Sequence, residues 1–214
     1  MKKQAGFTLI ELAIVLVIIG LLLGGVLRGQ ELINSARVKN MTRDFQNVQV
    51  YLYGYQDRFR AIPGDDRAAN THLTGGTVAA GTAVGNGQID GNWSAPAATD
   101  ESYLFWQHVR LAGFAPGATA PGPGFLPSNA NGGQIGIQSI TGAFNTITGM
   151  TGSFAICSAG ILGRDVLQID AQIDDNNPAA GNLRAIATGT TGAAATTPQI
   201  TAAPGAAYDV CMSI

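Results

Sequence analysis

Gly6-Phe7-Thr8-Leu9-Ile10-Glu11-Leu12 opens the longest apolar run of the chain, and its reading decides what the remainder can be. The run continues to Leu27 and follows a short basic leader, Lys2-Lys3. As a helix, residues 7–27 measure roughly 31 Å, enough to cross the hydrocarbon core of a bilayer. An ordinary secretory signal has a shorter apolar core and then a small-residue cleavage site. Here the run is longer, contains a carboxylate, and leads into Arg28 and further helical pattern. No cysteine stands near the leader, which argues against a lipid anchor. Lys2 and Lys3 hold the N-terminus on the cytoplasmic side and leave the C-terminal bulk outside. Glu11 is the exception within the run. An acid in a membrane helix costs about 2.5–3.5 kcal/mol at the centre and less near an end, so such a residue is rarely idle.

Leader, Gly-Phe junction and Glu together resemble the prepilin signature of type IV pilins and of the pseudopilins of type II secretion. The resemblance implies that a membrane-embedded prepilin peptidase cuts between Gly6 and Phe7 and that the new Phe7 amine is N-methylated. It further implies that Glu11 pairs with the N-terminal amine of a neighbouring subunit during assembly. The physics is consistent, because a carboxylate and an ammonium are each costly alone in low dielectric and pairing offsets much of that cost. The implied protein is no enzyme. It is a subunit assembled with copies of itself or with other pilins, on an inner-membrane platform, starting as a single-pass inner-membrane protein with its head in the periplasm. Its destination would be a surface pilus or a periplasmic pseudopilus.

After the membrane run the helix changes character. Val38, Met41, Phe45, Val48, Leu52, Tyr55 and Phe59 recur at alternating steps of three and four and form one apolar stripe. Arg37, Lys39, Arg43, Asp44, Gln46, Gln49 and Asp57 supply the wet face, and Pro63-Gly64 ends the pattern. The organisation read from this is a leader over 1–6, a transmembrane and assembly half-helix over 7–27, an amphipathic half over 28–60 that packs on a head, and a head over 61–214. The segment 24–29 holds three glycines where many major pilins carry a proline, which argues against the principal pilus subunit. Glycine lowers helix stability there by about 1 kcal/mol per residue relative to alanine.

The head is rich in Gly, Ala and Thr and contains no lysine, only Arg67, Arg110, Arg164 and Arg184 against ten acids. Binding to a phosphate backbone needs clustered Lys and Arg, so nucleic acid is a disfavoured partner. A helix is expected over 99–113, capped by Thr99 with Asp100 and Glu101 in its first turn. A second is expected around Leu162, Val166, Ile169 and Ile173, ending before Pro178. Short strands are expected at 134–141, 153–157, 183–188 and 207–213. The fold class is therefore α+β and pilin-like: a long N-terminal helix packed on a small antiparallel sheet. A Gly/Pro-rich insertion over 115–133 and an exposed Ala/Thr/Gly loop over 187–206 complete the head.

Cys157 and Cys211 are the only cysteines. The inferred topology places them outside the cytoplasm, where disulfides persist. The resemblance implies a disulfide between them, with a metal pair or free thiols as alternatives. Asp and Asn cluster twice, at Asn86, Asp90 and Asn92 and at Asp170, Asp174 and Asp175, the latter followed by Asn176-Asn177-Pro178. Closely spaced carboxylates beside turn-forming glycines suit calcium, which takes oxygen ligands, and major pseudopilins hold calcium in a head loop. The competing reading is that these residues make turns by bonding their own backbone. His72 and His108 stand at no recognised catalytic spacing. Ser102 and Ser153 lie in no nucleophile motif, and phosphate-loop and zinc-protease signatures are absent. A membrane-anchored adhesive or binding protein remains the reading from another class.

Overall fold

The computed structural model describes residues 9–81, 83–141 and 147–214. Helix α1 spans Leu9–Phe59 without interruption, passing through Gly24, Gly25 and Gly29. The chain forms two compact units, one ending at Arg37 and the other comprising Val38–Ile214. In the first unit the described helix buries none of its large apolar side chains, and Leu9, Leu21 and Leu32 are 89%, 73% and 72% exposed. Such a surface is stable only against lipid or other protein. The helix is long and apolar enough to cross a membrane.

In the second unit the same helix obeys the three-and-four stripe. Val38, Met41, Phe45, Val48, Leu52 and Tyr55 are each 2% exposed or less, while Val50 and Tyr53 on the opposite face stay in solvent. Arg60 takes a left-handed conformation with φ 54° directly after α1, so the chain turns before Pro63 rather than at it.

Short α2 (Ala69–His72) and α3 (Glu101–Leu111) follow, then β1 (Ile135–Ser139), β2 (Phe154–Leu162), α4 (Gly163–Ile173), β3 (Leu183–Ala187), α5 (Thr197–Ala202) and β4 (Ala207–Ser213). The four strands form one antiparallel sheet in the order β1-β2-β4-β3. Alternation along the strands sends Ile137, Ile156, Val210 and Met212 into the core that holds the α1 stripe. Ala155, Cys157, Ile186 and Cys211 face a second cluster with Trp93, Ile147 and Met150. Both faces are thus covered, which is why β1 is buried at every position.

Cys157 and Cys211 are register partners on β2 and β4 and are joined in a disulfide. The α+β arrangement of long helix and small antiparallel sheet is the one the pattern implied. Several details differ. β2 continues past Cys157 to Leu162, because Gly160, at φ 67°, lets the strand shift register and resume pairing. The cap of α3 is Asp100, not Thr99. The 187–206 segment is not wholly an exposed loop. It contains α5, begun by a Thr196/Gln199 capping box, and Ile200 is fully buried there. In the 115–133 insertion, Phe125 reaches the core.

Two outcomes are expected. Leu52→Ala should lower unfolding free energy by about 2–5 kcal/mol, as core truncations do, while Val50→Ala two residues away stays within about 0.5 kcal/mol. Reducing the disulfide opens a loop whose closure is worth roughly 4 kcal/mol. Denaturant midpoints of oxidised and reduced protein should separate accordingly.

Candidate functional site

Glu11 lies on the described part of α1, in its first turn, whereas Gly6 and Phe7 lie outside the described residues. Within the head, the carboxylates are the chemically active groups, and they sort into two kinds.

The first kind anchors loops. Asp65 accepts backbone N–H groups from Gly85, Asn86 (3.2 Å) and Gly87 (2.8 Å), which winds the glycine-rich loop around one buried carboxylate. Asn86 and Asn92 accept from the backbone N–H groups of Gln88 and Ser94 in side-chain turns, and Asp90 receives the Asn86 amide at 3.5 Å. The Asn86–Asp90–Asn92 group is thus occupied with turn formation. Glu101, 4% exposed at the start of α3, accepts the Asp90 N–H at 2.8 Å and contacts Asp65 side chain to side chain. Burial first, then the charges of Asp65 and Asp90, push its pKa up to about 7.

Asp66 is the hub of a further network, taking hydrogen bonds from the Tyr55 hydroxyl and from His72 Nδ1 (both 2.7 Å) and from Ala68 N–H (2.8 Å). Sequence reading gave His72 no partner. Its partner is six residues upstream, and the signal was the Asp65-Asp66 pair after the Pro-Gly turn. His108 is completely buried. Its Nδ1 accepts from Gly64 N–H at 2.9 Å, so Nε2 carries the proton and donates to Thr77 carbonyl at 2.7 Å. Burial lowers its pKa and keeps the ring neutral. Both imidazoles are committed to structural bonds and neither is offered to Ser102 or Ser153.

The second kind is at the end of α4. Asp170, Asp174 and Asp175 bring carboxylate oxygens within 4.8 Å of one another. Asp174 accepts Leu183 N–H (2.8 Å), and Asp175 accepts Asn177 N–H (2.9 Å). Gly181, at φ 66°, passes so close to Asp174 that a Cβ there would strike its carboxylate. Asp170 is different: it is fully buried, and neither of its carboxylate oxygens has a hydrogen-bond partner among the described residues. A buried carboxylate without donors needs a proton or a cation. Burial, and then Asp175 and Asp174, raise its pKa to about 7. Calcium–oxygen bonds of roughly 2.3–2.6 Å place oxygens on opposite sides of the ion about 5 Å apart. The span and the all-oxygen donor set fit a hard divalent cation.

Residues 1–27 match the family model of the prokaryotic N-terminal methylation motif. The chain carries a prepilin-type signal. This is the type of signal that type IV pilins and pseudopilins carry, and it supports a substrate of prepilin peptidase. The apolar first part of α1 and the motif together fit a chain anchored in a membrane. No curated protein and no solved structure matches the chain.

The two raised acids make a pH prediction. Unfolded, Glu101 and Asp170 titrate near 4.5 and 3.8, and folded, each near 7. The native state therefore binds more protons through that interval, and stability falls as pH rises from about 4 to about 7. Urea midpoints taken across this range should decline in the wild type, and the decline should flatten in Glu101→Gln combined with Asp170→Asn.

Proposed function

We propose that this chain is a structural subunit of a type IV filament, cut after Gly6 by prepilin peptidase, N-methylated at Phe7, and assembled through its N-terminal helix. The observation that carries the proposal is the change of surface along one unbroken helix bearing the prepilin-type signal. Residues 9–37 offer apolar side chains that the head does not cover, and from Val38 the apolar stripe is consumed by the head core. A protein so built is held in a membrane until other helices replace the lipid. In this proposal 1–6 is the leader, 7–27 the membrane and packing segment, 28–60 the half-helix that carries the head, and 61–214 the head. Glu11 acts as the register residue, paired with the Phe7 amine of a neighbour, so that a misdocked subunit leaves charge uncompensated in low dielectric. The head is periplasmic before assembly, the partners are an inner-membrane assembly platform and other pilins, and the product is a surface pilus.

The alternative is a pseudopilin of type II secretion, and one observation favours it: the unpartnered, buried Asp170 beside Asp174 and Asp175. Calcium in a head loop is what the sequence resemblance implies for that branch. The ion would supply the positive charge these carboxylates lack and would tie the end of α4 to the start of β3, where Asp174 already holds Leu183.

Co-expression with a prepilin peptidase should shorten the chain by six residues, and a charged residue at position 6 should abolish the shift. Glu11→Ala should still be shortened but yield at least tenfold less pelletable polymer, whereas normal polymer would refute the register role. Millimolar calcium at pH 8 should raise the melting midpoint of the wild type and not of Asp170→Asn. A midpoint indifferent to calcium would remove the support for the pseudopilin branch.

A further inference from the structure

A cleft lies beside Asp44. It has a volume of about 210 Å³ and lies between α1, α3 and the 115–128 segment. Its walls are apolar and aromatic, with Val48, Tyr51, Trp106, Pro116 and Pro127, and it holds two charged groups, Asp44 and Arg110. Arg110 is already employed. Its Nε and Nη1 donate to the carbonyls of Pro116 (3.0 Å), Ala118 (2.9 Å) and Phe125 (2.6 Å), and its guanidinium lies over the Phe125 and Trp106 rings. Asp44 is half-buried and has neither a hydrogen bond nor an ion pair among the described residues. The residues three and four positions away on α1 are Asn40, Met41, Asn47 and Val48, so its own helix supplies no cation. Burial raises its pKa to about 6, as expected of a carboxylate short of partners.

The complementary charges sit on the same helix and have no ion pair among the described residues. Lys39 and Arg43 are exposed, and no acid lies three or four residues from either. They are four apart from each other, an arrangement in which like charges repel on a helix. Arg43 is set about 100° around the helix from Asp44. The cationic pair and the cleft therefore face different directions, and one molecule cannot bring its own pair into its own cleft.

We propose that the Asp44 cleft receives the side chain of Lys39 or Arg43 from a second copy of this chain. The cation meets the carboxylate against the ring of Tyr51, an environment that favours ammonium or guanidinium groups. The contact joins two different patches, cleft to cationic pair, so it is heterologous. Repetition of such a contact builds an open array rather than a closed dimer. This rests on the filament assignment and names a contact within it.

The test is a charge-reversal series in a host that assembles the full chain, scored as pelletable polymer against processed, disulfide-bonded subunit. Asp44→Lys should cut polymer at least tenfold, and reversal of Lys39 or Arg43 to Asp in the same chain should restore it to within about twofold. Asp44→Asn, nearly isosteric, should lower polymer without lowering the melting midpoint, which separates lost contact from lost folding. Normal polymer from Asp44→Lys, or failure of both reversals to restore it, would overturn the cleft contact alone. Absence of polymer from the wild-type chain would overturn the filament assignment, and the cleft contact with it.

Discussion

Apolar side chains on α1 between Val38 and Tyr55 must be buried, and the head is the arrangement of the remaining chain that buries them. Phe45, Val48 and Leu52 lie in one cluster with Ile137, Ile156, Val166, Leu183 and Val210, so the helix, all four strands of the sheet and α4 share one core. At roughly 25 cal/mol per Å² of apolar surface, such a stripe outweighs any single polar contact in the head. The same helix upstream carries equally apolar residues that stay exposed. Lipid or other protein has to cover them. On the proposed function, membrane residence and polymerisation are two solutions to one problem of exposed area, posed by a single helix that continues into a folded head.

A chain with 29 glycines and, among the described residues, four sheet strands cannot satisfy its loop backbone by sheet pairing alone. Carboxylates take over that task. Asp65 collects the N–H groups of the 85–87 loop, Asp66 gathers Tyr55, His72 and Ala68, and Asp174 fixes the start of β3. Asp209 on β4 accepts from Thr188 and Gly189. The acidity of the head is thus largely internal, spent on loop geometry rather than displayed to a partner. Donors run out at Asp165 and Asp170, whose buried carboxylate oxygens have no hydrogen-bond partner among the described residues, and at half-buried Asp44.

Local pattern carried the helix and the sheet. The stripe from Val38 to Tyr55 has the period of a helix, and the β3 and β4 segments are short apolar runs bounded by Asn, Gly or Pro, so both were legible. α5 was hidden because Ala, Thr and Pro make no apolar period, although the Thr196/Gln199 cap was present in the sequence. The extension of β2 was hidden because Ala159-Gly160 reads as a stop, whereas the strand bulges there and continues. Asp170, Asp174 and Asp175 were legible as a cluster from spacing alone, but the burial that sets Asp170 apart was not. The Glu101–Asp65 contact joins residues 36 positions apart in sequence, and no local signal could have announced it.

The most direct measurement is the intact mass of the protein taken from its native membrane, with its N-terminal peptide. A processed filament subunit requires a chain that begins at N-methylated Phe7 and is lighter by two hydrogens for the Cys157–Cys211 bond. A chain that still carries residues 1–6, from cells with active prepilin peptidase, would contradict assembly through this helix.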